Sequence, residues 1–299
     1  MSRVLALMLG ALLVACAERE AEELVERLKT RDPAELREVT GKLLRMNNSA
    51  IVPALRRGLQ AEKWQTRYMS AQLLGKARAA EAIPDLISAL DDTVHAVVAA
   101  AAEALGRLDC HSAVPRLIKL VDHSDEVVGT RAAEALGRIG SPSALGALCQ
   151  GAPGRGPAYR AALVSALGPC HDYQRAPALS DSALSVSRRA LGDWSVQVRI
   201  AGIVSLRAFD YVGAAGDLLR LLHDPSEEMQ HVVVQALGEI HSANEPAWQG
   251  DADPDMSRII TALDSVLTTS PNIGVRQRAT EALERIAAAS LDTRPAAPR

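Results

Sequence analysis

Aromatic residues are scarce in this chain of 299 residues: they make up 3%, with a single Phe, although 48% of the residues are hydrophobic. The apolar mass is Ala, Leu, Val and Ile. That argues against a compact core built on bulky rings and for stacked helices with close axes. Charge of one sign is missing too. The 33 basic and 36 acidic residues are interspersed and leave a net charge of −3, so no basic face offers itself to a nucleic acid. No stretch shows the sustained alternation of a strand. The signatures Gly-x-Ser-x-Gly and His-Glu-x-x-His are absent, which removes two common hydrolytic designs. GAPGRG at 151–156 follows a helical pattern rather than a strand and lacks the GK[ST] ending, so it fails as a phosphate loop.

What is present is repetition. AAEALGR stands at 101–107 and again at 132–138. Taking Gly106 as a ruler, equivalent positions fall at 44, 75, 106, 137, 168, 207, 238 and 284. Most steps are 31 residues, and two are longer, placing insertions near 178–192 and 241–256. The residue before each ruler position is Leu: Leu43, Leu74, Leu105, Leu136, Leu167, Leu206, Leu237 and Leu283. Glycine occupies the ruler itself at Gly75, Gly106, Gly137, Gly168 and Gly238, where it is expected to end the first helix of each unit. Val94, Val97, Val98, Ala101, Ala104, Leu105 and Leu108 follow the spacing of one helical stripe, and Val114, Leu117, Ile118 and Val121 form a second. Pro53, Pro84, Pro115 and Pro177 mark starts of second helices. Asp32-Pro33-Ala34-Glu35 and Asp224-Pro225-Ser226-Glu227 mark starts of first helices. One such hairpin is apolar on both flanks and must stack on neighbours. The fold class read from this pattern is all-α, an α-solenoid of about eight hairpins over residues 30–288, with a flexible tail at 289–299.

The pattern V-R-x-x-A-A-x-A-L-G with a following proline, as in GTRAAEALGRIG, AYRAALVSALG and HVVVQALGEI, resembles HEAT repeats of the phycobilisome-lyase-like subclass. The family's arginine is matched by Arg67, Arg160, Arg199 and Arg276 and replaced by Val98, Gly129 and Gln230. The resemblance implies an Asp–Arg pairing, for which Asp193, six residues before Arg199, is a candidate, and a ladder broken where the arginine is missing. It fixes fold and leaves function open.

The first 15 residues read as a signal peptide. After Arg3, an apolar run from Val4 to Ala15 is too short to cross a bilayer as a helix. Leu13-Val14-Ala15-Cys16 resembles the lipobox of bacterial lipoproteins. The resemblance implies cleavage before Cys16, lipid attachment at Cys16, export and membrane anchoring, at the outer membrane facing the periplasm in a diderm cell. Residues 16–29 are charged and helical in pattern, with Leu24, Val25 and Leu28 on one side, and are expected either to pad the first repeat or to stand as a short stalk.

Cys110, Cys149 and Cys170 remain. Cys110 and Cys170 lie in turns two repeats apart, roughly 20 Å at ordinary helix spacing, beyond disulfide reach. The pairs Cys110-His111 and Cys170-His171 are too far apart to converge on zinc, and no His is followed by Glu, as the di-iron hydroxylases of the HEAT class require. Asp251, Asp253 and Asp255 alternate in the longer insertion, but Met256 and Ala262 stand where a calcium loop of the EF-hand type needs Gly and Glu. No catalytic residue, metal or cofactor is assigned, and no nucleic acid or small-molecule substrate is expected. Outward positions on the second helices (Arg57, Ser88, Lys119, Gln150, Asp181 and Arg220) alternate in character. Among these, Arg57, Lys119 and Arg220, with Trp248 in the insertion, are the candidate partner contacts. The reading is a lipid-anchored, non-catalytic scaffold that binds a protein, with a phycobilin-lyase-like or chaperone subunit as the alternative and a HEAT-type metal or redox enzyme as the second.

Overall fold

The computed structural model describes residues 15–151, 154–170, 177–209, 214–243 and 254–292. Among them every regular element is helical, and the protein is an all-α solenoid of hairpins. The chain divides into two compact units, Met1–Ala147 and Leu148–Arg299. The first holds α1 (residues 15–26), α2 (Pro33–Leu43), α3 (Asn48–Gly58), α4 (Trp64–Lys76), α5 (Ile83–Ser88), α6 (His95–Arg107), α7 (Val114–Val121) and α8 (Glu126–Ile139). At the division lies α9 (Leu145–Gln150), and the second unit holds α10 (Pro157–Cys170), α11 (Pro177–Ala190), α12 (Val196–Ala208), α13 (Ala214–Leu221), α14 (Glu227–Ala243), α15 (Pro254–Thr269) and α16 (Ile273–Asp292). The even-numbered helices are the first members of the hairpins. The ruler leucines up to Leu237 are buried and Leu283 is half-buried.

Residues 16–29 do not stand free as a stalk: Ala21, Leu24, Val25 and Leu28, one helical stripe, are buried, and Arg57 of α3 pairs with Glu22. Pro84 and Pro115 sit in the first turn of α5 and α7, but Pro53 lies inside α3 because Asn47 caps that helix early, accepting from the Ser49 N–H. The eight-residue insertion falls largely in α11, which has 14 residues against 8 for α7. Most of the other insertion, with Trp248, Asp251 and Asp253, lies outside the described residues.

The ruler glycines do not end their helices. Gly75 and Gly106 are penultimate residues of α4 and α6. A Cβ on Gly75 would lie 2.8 Å from the Cα of Ala104, and one on Gly106 would lie 2.7 Å from the Cα of Ala135. In the second unit a Cβ on Gly238 would lie 2.7 Å from the Cβ of Ala282. Backbone meets backbone between successive first helices, with no room for a methyl group. This explains the copied phrase: Ala104 receives Gly75, and Gly106 presses on Ala135. Termination comes three residues later, at Arg78 and Asp109 (φ 52° each) and at Gly140 (φ 64°). The Ala79 N–H donates to Leu74 O at 3.1 Å and the Arg78 N–H to Gly75 O at 3.3 Å. This is the doubled closure of a left-handed helix end, and Cys110 and Asp109 repeat it on Leu105 and Gly106.

The arginines do pair with aspartates, but across repeats. Arg67 donates to both carboxylate oxygens of Asp92, at 2.6 and 3.0 Å, and through Nη1 to the carbonyls of Ala61 and Glu62. Arg160 does the same to Asp193, at 3.0 and 2.8 Å, and Arg199 reaches Asp224 at 2.9 Å. Arg199 meets Asp193 only at its carbonyl. Each aspartate also ties the turn that enters the next first helix: Asp92 accepts from the Val94 N–H and Asp193 from the Ser195 N–H, one residue before α6 and α12 begin. At Val98 the arginine rung is absent, and its aspartate partner is replaced by His123. There the His123 Nδ1 accepts the Asp125 N–H at 3.0 Å, and His95 lies 3.2 Å from the Asp125 carboxylate. At 230, Gln230 donates to the Asp224 carbonyl instead.

Gly106→Ala should destabilise the chain by about 2 kcal/mol through overpacking, although Ala is the better helix former by about 1 kcal/mol. Asp109→Gly should stabilise it by up to about 1 kcal/mol by relieving the left-handed residue. Urea unfolding of both variants checks these opposite signs. Burial opposes the charge on Asp92, but the Arg67 hydrogen bond and the Val94 N–H outweigh it and hold the carboxyl below its usual pKa. The stability from this rung is therefore full above about pH 4 and is lost as pH falls through the lowered value. Arg67→Gln should cost on the order of 2 kcal/mol at pH 7. Its deficit against wild type should shrink at pH 3, read from urea midpoints at both pH values.

Candidate partner groove

Close stacking of α4, α6 and α8 leaves a groove along one face of these helices, lined from the x positions of V-R-x-x-A-A-x-A-L-G and from the turn before them, with Ala99 and Ala100 buried at its floor. On α4 that face carries Trp64, Gln65, Tyr68, Met69 and Gln72; on α6, Ala96, Ala99, Ala100 and Glu103; on α8, Val127 and Arg131. With Leu28, Thr30 and Leu36 they line an open groove of about 480 Å³ within the first unit. Its depth comes from sequence: α6 offers only methyl groups where its neighbours carry long side chains. Trp64 is 42% exposed and Val127 59%. The Trp64 and Tyr68 rings meet edge to face at 6.4 Å, a favoured aromatic geometry, and Gln72 Nε2 donates to Tyr68 Oη at 2.8 Å.

The charges beside the groove are paired. Glu103 accepts from Arg107 Nη2 at 2.7 Å and lies 3.9 Å from Arg131, while Arg131 donates to Glu134 at 2.7 Å. Burial works against the Glu103 charge, and the Arg107 hydrogen bond with the Arg131 and Arg138 charges holds its carboxyl below the usual range. The lining carries no thiol, histidine or unpaired carboxylate. It can hold an apolar side chain or a flat ring; it has no group placed to attack one.

The residues expected to bind a partner lie elsewhere. Arg57 pairs with Glu22 and, with Pro53, Arg56, Gln60 and Asp85, borders a depression of about 240 Å³. Lys119 is exposed on α7, with α5 between the two helices that carry it and Arg57. Arg220, on α13 of the second unit, is 81% exposed and 3.8 Å from Asp217. Cys16 is exposed on α1, and Cys110, Cys149 and Cys170 are not joined in disulfides, with Cys110 Sγ 3.2 Å from Ser112 Oγ. Among the described residues no group of three His, Cys, Asp or Glu side chains is placed to hold a metal, and no helix is long and apolar enough to cross a membrane. Reading the sequence missed Trp64, Tyr68, Ala99, Ala100 and Val127. The available signal was the apolar residue off the buried stripe of a first helix: Trp64 and Val127 in the first unit, both exposed in the structure.

A family model described as HEAT repeats matches residues 21–106 and 95–168. Among solved structures, the chain is similar to the CpcE–CpcF complex of phycocyanin lyase from Nostoc sp. PCC7120, at 22% identity and a TM-score of 0.51 over 79% of this chain and 94% of that one. An engineered protein is 19% identical with a TM-score of 0.49, covering 89% and 88% of the two chains. Human deoxyhypusine hydroxylase in complex with glycerol is 18% identical with a TM-score of 0.39, covering 94% and 99%. At these identities the likeness is one of fold. No curated protein matches the chain.

Proposed function

We propose that this chain, a HEAT-repeat protein, is a non-catalytic scaffold whose first unit holds another polypeptide in the groove across α4, α6 and α8. The observation that carries this reading is exposed Trp64, stacked edge to face on half-buried Tyr68, beside an alanine floor. Aromatic side chains at the rim of an apolar depression are the usual anchors of protein interfaces, and covering them removes apolar surface from water. Lipid attachment at Cys16 belongs to the same proposal. The exposed thiol lies five residues before buried Ala21, so an acylated Cys16 would hold the first unit close to a membrane surface. Export as a bacterial lipoprotein, to the outer membrane in a diderm cell, is the address that goes with it.

A second reading draws on the likeness to the CpcE–CpcF complex: a subunit that joins another HEAT-repeat chain to act on a chromophore protein. The two differ in where the protein must be. Metabolic labelling with a clickable palmitate analogue should mark the wild type and not Cys16→Ser. Absence of label on both, with both in the cytosol, favours the lyase-like reading. For the groove, Trp64→Ala and Ala96→Arg should each weaken recovery of a copurifying polypeptide by about tenfold or more. Lys119→Ala should leave it unchanged, and thermal midpoints should stay within a few degrees. The reverse pattern contradicts the groove.

A further inference from the structure

The groove has a charged border at one end. Three stacked first helices carry a base one residue after the ruler: Lys76 on α4, Arg107 on α6 and Arg138 on α8. All three are exposed. The position lies one turn beyond Gln72, Glu103 and Glu134, so the bases share the groove face. Helix ends favour cations, but helix termination alone does not demand them here: the same position in the second unit holds Pro169, Ala208 and Glu239 before Arg285. Arg131 joins the row, so four bases stand here against the carboxylates of Glu103 and Glu134. Lys76 makes no ion pair among the described residues.

We infer that the partner is an acidic amphipathic α-helix that crosses α4, α6 and α8, with its apolar stripe on Trp64, Tyr68 and the alanine floor and its carboxylates on Lys76, Arg107 and Arg138. The inference rests on the groove reading above and adds the chemistry of the occupant. Helix spacing sets the pattern. Packed helix axes lie about 8–10 Å apart. In an α-helix, residues seven apart are separated by about 10.5 Å along the axis and return to the same face within about 20°. Asp or Glu at every seventh residue therefore meets one base per repeat, beside a continuous apolar stripe. A nucleic acid matches this surface less well, because Glu103 and Glu134 interrupt the row and the adjoining lining is apolar.

The test is selection of a displayed library of helical peptides on the full chain. The peptides carry a fixed leucine face and three flanking positions, seven apart, each open to Glu, Gln or Lys. Glu should dominate all three positions, by about tenfold over Lys, and binding should weaken as salt rises. Selection on Lys76→Glu/Arg107→Glu/Arg138→Glu should turn the preference to Lys. Because Arg107 and Arg138 also hold the Glu103 charge, the same selection is run on Lys76→Glu alone, which breaks no ion pair among the described residues. That variant should lose the Glu preference at its own position with a thermal midpoint within a few degrees of wild type. Binders that require Trp64 but show no preference for Glu overturn the acidic helix and leave the groove standing. Binders indifferent to Trp64→Ala and Ala96→Arg, or no binders at all, overturn the groove as well. A single-stranded oligonucleotide that binds more tightly than the selected peptides, and is lost on the charge-reversed variant, replaces the helix with a polyanion.

Discussion

Backbone contact between first helices is the constraint on which the rest depends. Where Gly75 meets Ala104 and Gly106 meets Ala135, the space left over is smaller than a methyl group. Contact this close fixes neighbouring helices in one register, because a shift along the seam would drive a larger side chain into the facing backbone. The Arg67–Asp92 pair then ties the same helices near their N-termini. Arg67 is held by two carbonyls of its own turn as well as by the carboxylate, and Asp92 accepts the Val94 N–H at the entry to the following helix. The rung therefore joins both turns and the neighbouring repeat in one hydrogen-bonded group.

Small residues on α6 serve two purposes. Ala104 admits the backbone of α4, and Ala99 and Ala100, on another side of the same helix, leave the depression that Trp64, Tyr68 and Val127 surround. The interruption of the ladder falls beside this depression. His95 precedes Ala96, and Asp125 accepts the Val127 N–H, so the histidine rung sits at the groove's edge. His123 takes the place of an aspartate by accepting the Asp125 N–H through its Nδ1, and the His95 and His123 rings meet edge to face at 4.8 Å. The second unit shares the glycine-on-alanine seam through Gly238 and Ala282 and the arginine rungs through Arg160 and Arg199. Its first helices carry different face residues.

The hairpins, their period and the ruler leucines were legible because each repeat faces the same packing problem and solves it with the same letters. The glycines were legible as positions and misread as caps, since a glycine near a helix end looks like a terminator. The residues that do take the left-handed conformation, Arg78 and Asp109, carry no such signal. The fate of residues 16–29 was written in the spacing of Ala21, Leu24, Val25 and Leu28, but the run of charges around them reads as a stalk. The groove was harder to see. Its floor consists of side chains that are small, and a depression made by missing atoms leaves no motif; attention went to the charged residues of the second helices instead.

In the proposed function the first helices, not the second, present the working face of the first unit. The most direct measurement is photo-crosslinking in the native cell, with a benzophenone amino acid placed singly at Gln65, Tyr68 and Ala96 on the first helices and at Arg57, Ser88 and Lys119 on the second. The structure predicts adducts to another polypeptide from the first set and none from the second. Adducts confined to the second set would contradict it and return the binding surface to the opposite side of the hairpins.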